Sequence, residues 1–149
     1  MPMIVDELIP LIDESYPTKA DASSRVVAGF SMGGAGSARL SLLHPSLFCA
    51  AGSWGGGLSR RGTGEDSPLL GAAKANAATL KQNHFAMLLI NGDKDRPEAY
   101  ALLAKTLEPL EIPHDVVVLD DTNHNLGLYH KKSGKAMIEF LGEQLRLGR

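Results

Sequence analysis

The sequence predicts an α/β fold in which about four parallel strands are flanked by helices. Short apolar runs with the composition of buried strands alternate with longer segments of helical periodicity. Such alternation is typical of a parallel sheet covered by helices. The chain has 149 residues, of which 44 % are hydrophobic and 21 % are charged. This size and composition suit one folded unit, and we predict a single domain over residues 1–149.

The first half of the chain contains two predicted helices and two predicted strands. Apolar residues in Met3–Ser15 follow helical spacing, although Pro10 lies inside the segment. Arg25–Phe30 is a short apolar run typical of a buried strand. The Gly- and Ala-rich segment Met32–Leu43 is predicted to be a helix, and Leu47–Gly52 to be the second strand.

The second half continues the alternation after a polar, glycine-rich stretch at Gly55–Pro68, which is predicted to be a surface loop. Two strands and three helices are predicted beyond it. In chain order they are the helix Leu69–Gln82, the strand Phe85–Asn91, the helix Pro97–Leu110, the strand His114–Leu119 and the helix Leu126–Leu147, with a weak point at Ser133 and Gly134.

Composition and charge argue against several classes of partner. The formal net charge of −2 gives no electrostatic reason to expect a nucleic acid or an acidic membrane surface. No apolar run approaches the ~20 residues that a membrane span needs.

The N-terminus has neither the basic region nor the cleavage site of a signal peptide. Cys49 is the only cysteine, which excludes an internal disulfide and leaves the redox compartment open. We predict a cytoplasmic location, with a trimmed export signal as the open alternative.

A serine in a strand–turn–helix motif is the main candidate for chemistry. The string GFSMGG contains G-x-S-x-G with Ser31 at its centre. A nucleophilic serine needs a base, a group that orients the base, and donors for the oxyanion. The motif exposes the serine on a tight turn that requires small neighbours, here Gly29, Gly33 and Gly34, and the helix start offers the Met32 N–H as one oxyanion donor. The alternative is a helix N-cap in which Ser31 only caps the helix.

The acid is expected after a later strand, because in α/β-hydrolases the order along the chain is serine, acid, histidine. Asp95 follows the predicted strand FAMLLIN in the turn NGDKDRP. The Gly92-x-x-Asp95 spacing lets the chain reverse before it presents the carboxylate. Asp93 better suits a turn-stabilising role, and Asp120 and Asp121 lie too close to the expected base. Asp95 is therefore the predicted acid.

His124 is the histidine that fits the role of base. It follows the predicted strand HDVVVL in the loop DDTNHN. His44 lies at a helix end, where a capping role is expected, and His130 lies within the last helix. His84 and His114 precede strands and so belong at the opposite edge of the sheet. The predicted serine, acid and base thus all leave the C-terminal ends of strands, where sites in open α/β sheets form.

Two other side chains need an assignment. Trp54 follows the second predicted strand on the same rim as Ser31, where it is predicted to wall an acyl or aromatic pocket; the alternative is a packed aromatic. Cys49 lies among apolar residues and is predicted to be a small core residue. The sequence contains no HExxH, CxxC, complete EF-hand loop or P-loop, so we predict neither a metal nor a cofactor.

Together these stretches resemble the esterase D and feruloyl esterase branch of the α/β-hydrolases. The matching parts are DELIPLIDESY, RVVAGFSMGGAGSARLSLLHPSLF, the NGDKD turn, and TNH followed by a terminal helix, which cover nearly the whole chain. The block Arg25–Phe48 is the most specific. The resemblance implies carboxylic-ester hydrolysis through an acyl-enzyme, with Ser31, Asp95 and His124 as the catalytic triad. It also implies that the region of Trp54 lines the pocket.

The chain departs from this family in what precedes the nucleophile strand. The resemblance implies roughly a hundred preceding residues, which form half of the sheet and supply the second oxyanion donor. A single predicted helix stands there, so we expect a truncated, minimal α/β-hydrolase with Arg25–Phe30 at the sheet edge. Exposed edge strands invite pairing with another chain, which predicts a homodimer or higher oligomer. Unless a neighbouring loop or a partner chain replaces the second donor, turnover is expected to be slower by ~10²–10³-fold, at a shallow, open pocket.

Two other functions share part of this evidence. A thioesterase, an acyltransferase or a small peptidase would use the same three residues on other small molecules. A non-catalytic binding or assembly module would keep the turn at Ser31 only as architecture. For the esterase, which is the function predicted first, the predicted partner is a small-molecule ester. Assays of esters, thioesters and amides separate the three possibilities.

Overall fold

The structure is a computed structural model that describes residues 3–58 and 67–147, and it contains a four-stranded parallel sheet. The strands lie side by side in chain order, each parallel to its neighbour, with the strand that precedes Ser31 at one edge. This confirms the predicted fold class. The strands are β1 (Val26–Phe30), β2 (Ala50–Trp54), β3 (Ala86–Gly92) and β4 (His114–Leu119).

Helices connect the strands and cover the sheet. A π-helical turn at Met3–Leu8 precedes the first α-helix, and a 3₁₀ turn at Ala22–Ser24 precedes β1. The α-helices are α1 (Ile9–Ser15), α2 (Met32–Leu43), α3 (Pro68–Ala75), α4 (Ala77–Gln82), α5 (Ala101–Leu107) and α6 (Leu126–Leu147).

The core is divided between the two faces of the sheet. Successive side chains of a strand point to opposite faces, and every residue of β3 is buried. Leu88 and Ile90 join a cluster beneath α6 that includes Met137. Met87 and Leu89 join a larger cluster on the other face, formed with residues of α2, α3 and α5. Both faces of the central strand are therefore covered, as a parallel sheet requires.

Three elements begin and end at the predicted residues: α2, β4 and α6. The predicted weak point in α6 does not interrupt the helix, and the Ser133 hydroxyl donates to the Tyr129 carbonyl at 2.9 Å inside it. The second strand lies later in the chain than predicted. Leu47 still belongs to the turn after α2, since its N–H donates to the His44 carbonyl, and strand pairing starts only at Ala50.

The other helices are shorter than predicted. The segment Leu69–Gln82 forms α3 and α4, separated at Asn76, whose side-chain amide donates to the Leu42 carbonyl at 2.8 Å. Residues 97–100 form a turn, so α5 begins only at Ala101. The segment Met3–Ser15 changes helix type just before Pro10, which lacks an N–H and lies in the first turn of α1. Most of the predicted loop Gly55–Pro68 lies outside the described residues.

Among the helices of residues 3–58 and 67–147, none combines the length and the apolar composition that crossing a membrane requires. The cytoplasmic location stays a prediction. Cys49, predicted as a core residue, is 1 % exposed, and burial raises the pKa of its thiol.

Candidate active site

Ser31 lies in the tight turn between β1 and α2, at the C-terminal end of the sheet. Its backbone has φ 57° and ψ −114°, a conformation that residues with a side chain rarely adopt. The Ser31 N–H donates to the Trp54 carbonyl at 2.8 Å, and its carbonyl accepts the Ala35 N–H at 3.0 Å. Bonds on both sides hold the strained turn in place, and the predicted strand–turn–helix geometry is confirmed.

Two of the three glycines around Ser31 are required by space. A Cβ at Gly29 would lie 2.5 Å from the carbonyl carbon of Gly33. A Cβ at Gly34 would lie 2.5 Å from the Ser53 hydroxyl and 2.9 Å from the Trp54 carbonyl oxygen. A Cβ at Gly33 would meet no heavy atom within 4 Å. The prediction that the turn needs small neighbours is therefore confirmed at Gly29 and Gly34 and wrong at Gly33.

The three polar residues predicted to act together form one hydrogen-bonded row. Ser31 occupies the N-cap position of α2, but its side chain makes no capping bond. Its Oγ lies instead 2.7 Å from Nε2 of His124. Nδ1 of His124 lies 2.7 Å from Oδ2 of Asp95. The side chain of Asp95 is 6 % exposed and that of His124 is 43 % exposed, so a shielded carboxylate stands behind an accessible imidazole and hydroxyl.

Asp95 reaches this row through a tight turn at the end of β3. Its N–H donates to the Gly92 carbonyl at 3.0 Å, which is the chain reversal that the spacing predicts. The Asn91 side chain donates to the Asp95 carbonyl at 3.2 Å. Asp93 acts differently from the prediction: its carboxylate accepts the backbone N–H groups of Asp121 and Thr122, each at 2.9 Å. It therefore links the acid turn to the loop of His124.

Three further residues pack around Asp95 and His124, and the sequence indicated no role for any of them. The Tyr129 hydroxyl lies 2.6 Å from Oδ2 of Asp95. Gly55 has φ 55°, and a Cβ there would lie 2.9 Å from Oδ2 of Asp95 and 3.3 Å from Nδ1 of His124. The ring of Phe30 lies 4.7 Å from the imidazole of His124, measured between centroids. The glycine run at residues 55–57 was the only signal, and it indicated no more than a loop.

The two remaining predicted residues lie at the same end of the sheet. The Trp54 carbonyl contacts Ser31, but the Trp54 ring packs in the cluster beneath α6, with its edge toward the His130 ring. Those contacts are of the packed-aromatic kind, and a pocket role for Trp54 stays a prediction. Met32 is 88 % exposed. Its N–H makes no backbone hydrogen bond within residues 3–58 and 67–147, and its oxyanion role stays a prediction.

No cluster of three or more His, Cys, Asp or Glu side chains in the described ranges is placed to hold a metal ion.

Comparison with known families gives this row a context. Residues 2–122 match the model of a family described as "Putative esterase". The chain belongs to this esterase family. The match covers Ser31 and Asp95 and ends two positions before His124. His124 is therefore assigned to the row only from its two hydrogen bonds, to Asp95 and to Ser31.

Individual relatives of this esterase-family chain agree with its fold. An endo-1,4-beta-xylanase/feruloyl esterase of Xylanibacter ruminicola is 45 % identical over 53 residues, which are 36 % of this chain and 7 % of that protein. The structure of a ferulic acid esterase superposes with a TM-score of 0.76 at 20 % identity, covering 99 % of this chain and 61 % of the other. An S-formylglutathione hydrolase from Agrobacterium tumefaciens superposes with a TM-score of 0.69 at 18 % identity, covering 97 % and 57 %. The chain thus spans less than two thirds of each relative.

Proposed function

We propose that this chain hydrolyses carboxylic esters of small molecules through an acyl-enzyme formed on Ser31. The observation that carries the proposal is the row of two hydrogen bonds, each 2.7 Å long, that joins Ser31 to His124 and His124 to Asp95. A serine, an imidazole and a buried carboxylate linked in this order can activate the hydroxyl as a nucleophile. Membership of an esterase family supports the same chemistry.

Each residue has a distinct role in the proposed reaction. His124 Nε2 takes the proton of the Ser31 hydroxyl while Oγ forms a bond to the ester carbonyl carbon. The resulting oxyanion accepts a hydrogen bond from the Met32 N–H at the start of α2. The C–O bond to the alcohol breaks as His124 returns the proton to the leaving oxygen, which leaves an acyl-Ser31 ester. Water then attacks that ester with His124 again as the base, and the bond between the acyl carbon and Oγ breaks as His124 returns the proton to Ser31, which releases the carboxylic acid.

The surroundings of Asp95 suit its proposed role. The carboxylate is almost wholly shielded from solvent, and it accepts the Nδ1 proton of His124. It thereby holds the imidazole in the tautomer that leaves Nε2 free to accept a proton from Ser31. The same negative charge stabilises the imidazolium that forms during attack, since charge interactions are strong where water is excluded.

The decisive test compares Ser31→Ala with Ser46→Ala, a substitution at an exposed serine in the turn after α2. On p-nitrophenyl acetate and butyrate, the Ser31 variant is expected to lower kcat/KM by at least ~10³-fold, because the nucleophile is lost. The Ser46 variant should match the wild type. Equal rates for all three proteins would instead favour a binding or assembly module.

The acyl group that the site accepts is identified by assays on a panel of substrates. Two of the similar proteins are a feruloyl esterase and a ferulic acid esterase, so aromatic acyl esters are the first substrates to assay. A thioesterase or acyltransferase would show its highest kcat/KM on thioesters or with an added acceptor alcohol, and a small peptidase on amides. We infer that oxygen esters will be preferred, because the relative at 45 % identity is named a feruloyl esterase, whereas S-formylglutathione, the thioester in the name of one similar structure, comes with 18 % identity.

We also propose that the chain forms a homodimer through the edge at β1 and the helical segment before it. The outer edge of β1 has no strand partner among the described residues. The helical segment at residues 3–15 buries none of its side chains, and Met3, Leu8 and Leu11 are exposed. Exposed apolar surface beside an open sheet edge favours association with another chain.

A further inference from the structure

We propose that Tyr129 is a positioning residue that holds Asp95, and through it the imidazole of His124, in the geometry required for ester hydrolysis. The inference rests on the function proposed above. Tyr129 lies in the first turns of α6, and its hydroxyl lies 2.6 Å from Oδ2 of Asp95. Asp95 Oδ2 therefore accepts two hydrogen bonds, one from Tyr129 and one from Nδ1 of His124 at 2.7 Å.

The direction of the bond between Tyr129 and Asp95 is fixed by a third group. The Gly92 N–H donates to the Tyr129 hydroxyl oxygen at 2.7 Å. A backbone N–H can only donate, so the oxygen serves as acceptor there and its own proton points to Asp95. Burial, together with the bond to Asp95, raises the pKa of Tyr129 well above its usual range. The phenol thus keeps the proton that it donates.

Few other groups can replace this contact. Tyr129 is fully buried and Asp95 is 6 % exposed, so bulk water does not reach the carboxylate oxygen that they share. The nearest cationic side chain is that of Arg96, whose Nε lies 3.9 Å from Oδ1 of Asp95, beyond hydrogen-bond distance. Within the described residues, Tyr129 and His124 are the side chains that donate hydrogen bonds to this carboxylate.

The ring of Tyr129 is held independently of its hydroxyl. The Phe30 ring packs against the rings of both His124 and Tyr129, with distances between ring centroids of 4.7 Å and 5.4 Å. The Tyr129 carbonyl accepts the buried Ser133 hydroxyl at 2.9 Å inside α6. Because these contacts do not involve the phenol oxygen, Tyr129→Phe removes one hydrogen bond and leaves the packing in place.

Tyr129→Phe should lower kcat on p-nitrophenyl acetate by on the order of ten-fold and leave KM unchanged, since a loosely held acid misplaces the base. The acid limb of the profile of kcat/KM against pH should move to higher pH, because a carboxylate with one donor fewer attracts a proton on its neighbour more strongly. The rate of Ser31 labelling by a fluorophosphonate should fall with kcat, which provides a readout where turnover is slow.

Tyr100→Phe is the matched control. Tyr100 is also fully buried and also makes one short phenol contact, 2.6 Å to the Ser53 hydroxyl, but in the other core cluster. Its partner Ser53 packs against Gly34 of the Ser31 turn and not against Asp95, so the substitution should leave the acid limb at its wild-type position. Equal shifts in both variants, or wild-type kcat and an unmoved acid limb in Tyr129→Phe, overturn the role of Tyr129. If Ser31→Ala is as active as the wild type, the proposed function itself fails, and the two failures are thereby distinguished.

Discussion

At the scale of single residues, the turn at Ser31 requires a strained backbone at the serine and a close approach of the neighbouring strand and helix. Its backbone adopts a φ of 57°, which a residue with a side chain accepts only when surrounding contacts hold it there. The Ser31 N–H is bonded to the neighbouring strand β2, and its carbonyl to the first turn of α2. The turn can close this tightly only because the adjoining strand and helix approach each other through glycines.

The glycines of this turn are expected to differ in their tolerance of alanine. Gly34→Ala should lower the free energy of unfolding by about 1–3 kcal/mol, because the new methyl group would overlap the Ser53 hydroxyl and the Trp54 carbonyl. Gly33→Ala should raise it by about 0.5–1 kcal/mol, since the position is open and alanine favours a helix. Chemical denaturation measures both. A destabilised Gly33 variant would contradict the assignment of open space at this position.

At the scale of elements, the loops after β3 and β4 form a clasp that carries Asp95 and His124 together. Two bonds from the Asp93 carboxylate reach the backbone of the loop after β4, and the Lys94 N–H donates to the Thr122 carbonyl at 3.1 Å. Lys94 also forms an ion pair with Asp121. A Cβ at Gly92 would lie 1.9 Å from the Thr122 carbonyl oxygen, so the two loops approach as closely as glycine allows.

Asp93→Asn should therefore weaken the clasp in a way that depends on pH. Hydrogen bonds from the backbone N–H groups of Thr122 and Asp121 hold the pKa of Asp93 below its usual value of 3.8. A lowered pKa means that Asp93 stabilises the fold above that value and that this contribution is lost as the pH falls through the lowered pKa. The variant should have a lower Tm than the wild type at pH 7, and the gap should shrink below pH 3.8.

Thermal unfolding of both proteins between neutral and acidic pH measures this gap. Lys94→Gln, which breaks the neighbouring ion pair with Asp121, is the control for a general loss of surface charge interactions. It should lower Tm less at neutral pH. A Tm gap for Asp93→Asn that stays constant down to low pH would contradict the clasp.

Elements set by local signals were predictable from the sequence, whereas those set by distant contacts were not. The glycine- and alanine-rich run before Pro45 fixes α2, and the positions of Asp95 and His124 after strands indicated the row of polar residues. The division between α3 and α4 depends instead on a bond from Asn76 to the end of α2. Tyr129 contacts Asp95 only because α6 folds back against β3, which no local pattern encodes.

At the scale of the whole molecule, the described sheet is covered on both faces but open at the edge of β1. The cluster beneath α6 and the larger cluster on the opposite face enclose β3. The helical segment at residues 3–15 contributes to neither cluster, and its Asp13 is tied to Arg25 by an ion pair of 2.7 Å. The side chains of this segment beside the open edge are half-buried or exposed and none is fully buried, which suits the contact proposed above between two copies of the chain.

The proposed dimer predicts that a charge in this segment separates the protomers without unfolding them. Leu11 is 58 % exposed, so Leu11→Glu should keep the fold and place an unpaired carboxylate in the contact. Light scattering at micromolar concentration should find dimers for the wild type and monomers for Leu11→Glu. Val118→Glu is the control, because Val118 is 46 % exposed on β4, the strand at the opposite edge of the sheet, and it should remain dimeric. A monomeric wild type would refute the dimer, and a dimeric Leu11 variant would refute its location. Because the contact would lie beside β1, whose last residue precedes Ser31, dilution that dissociates the dimer should also change the specific activity of the wild type.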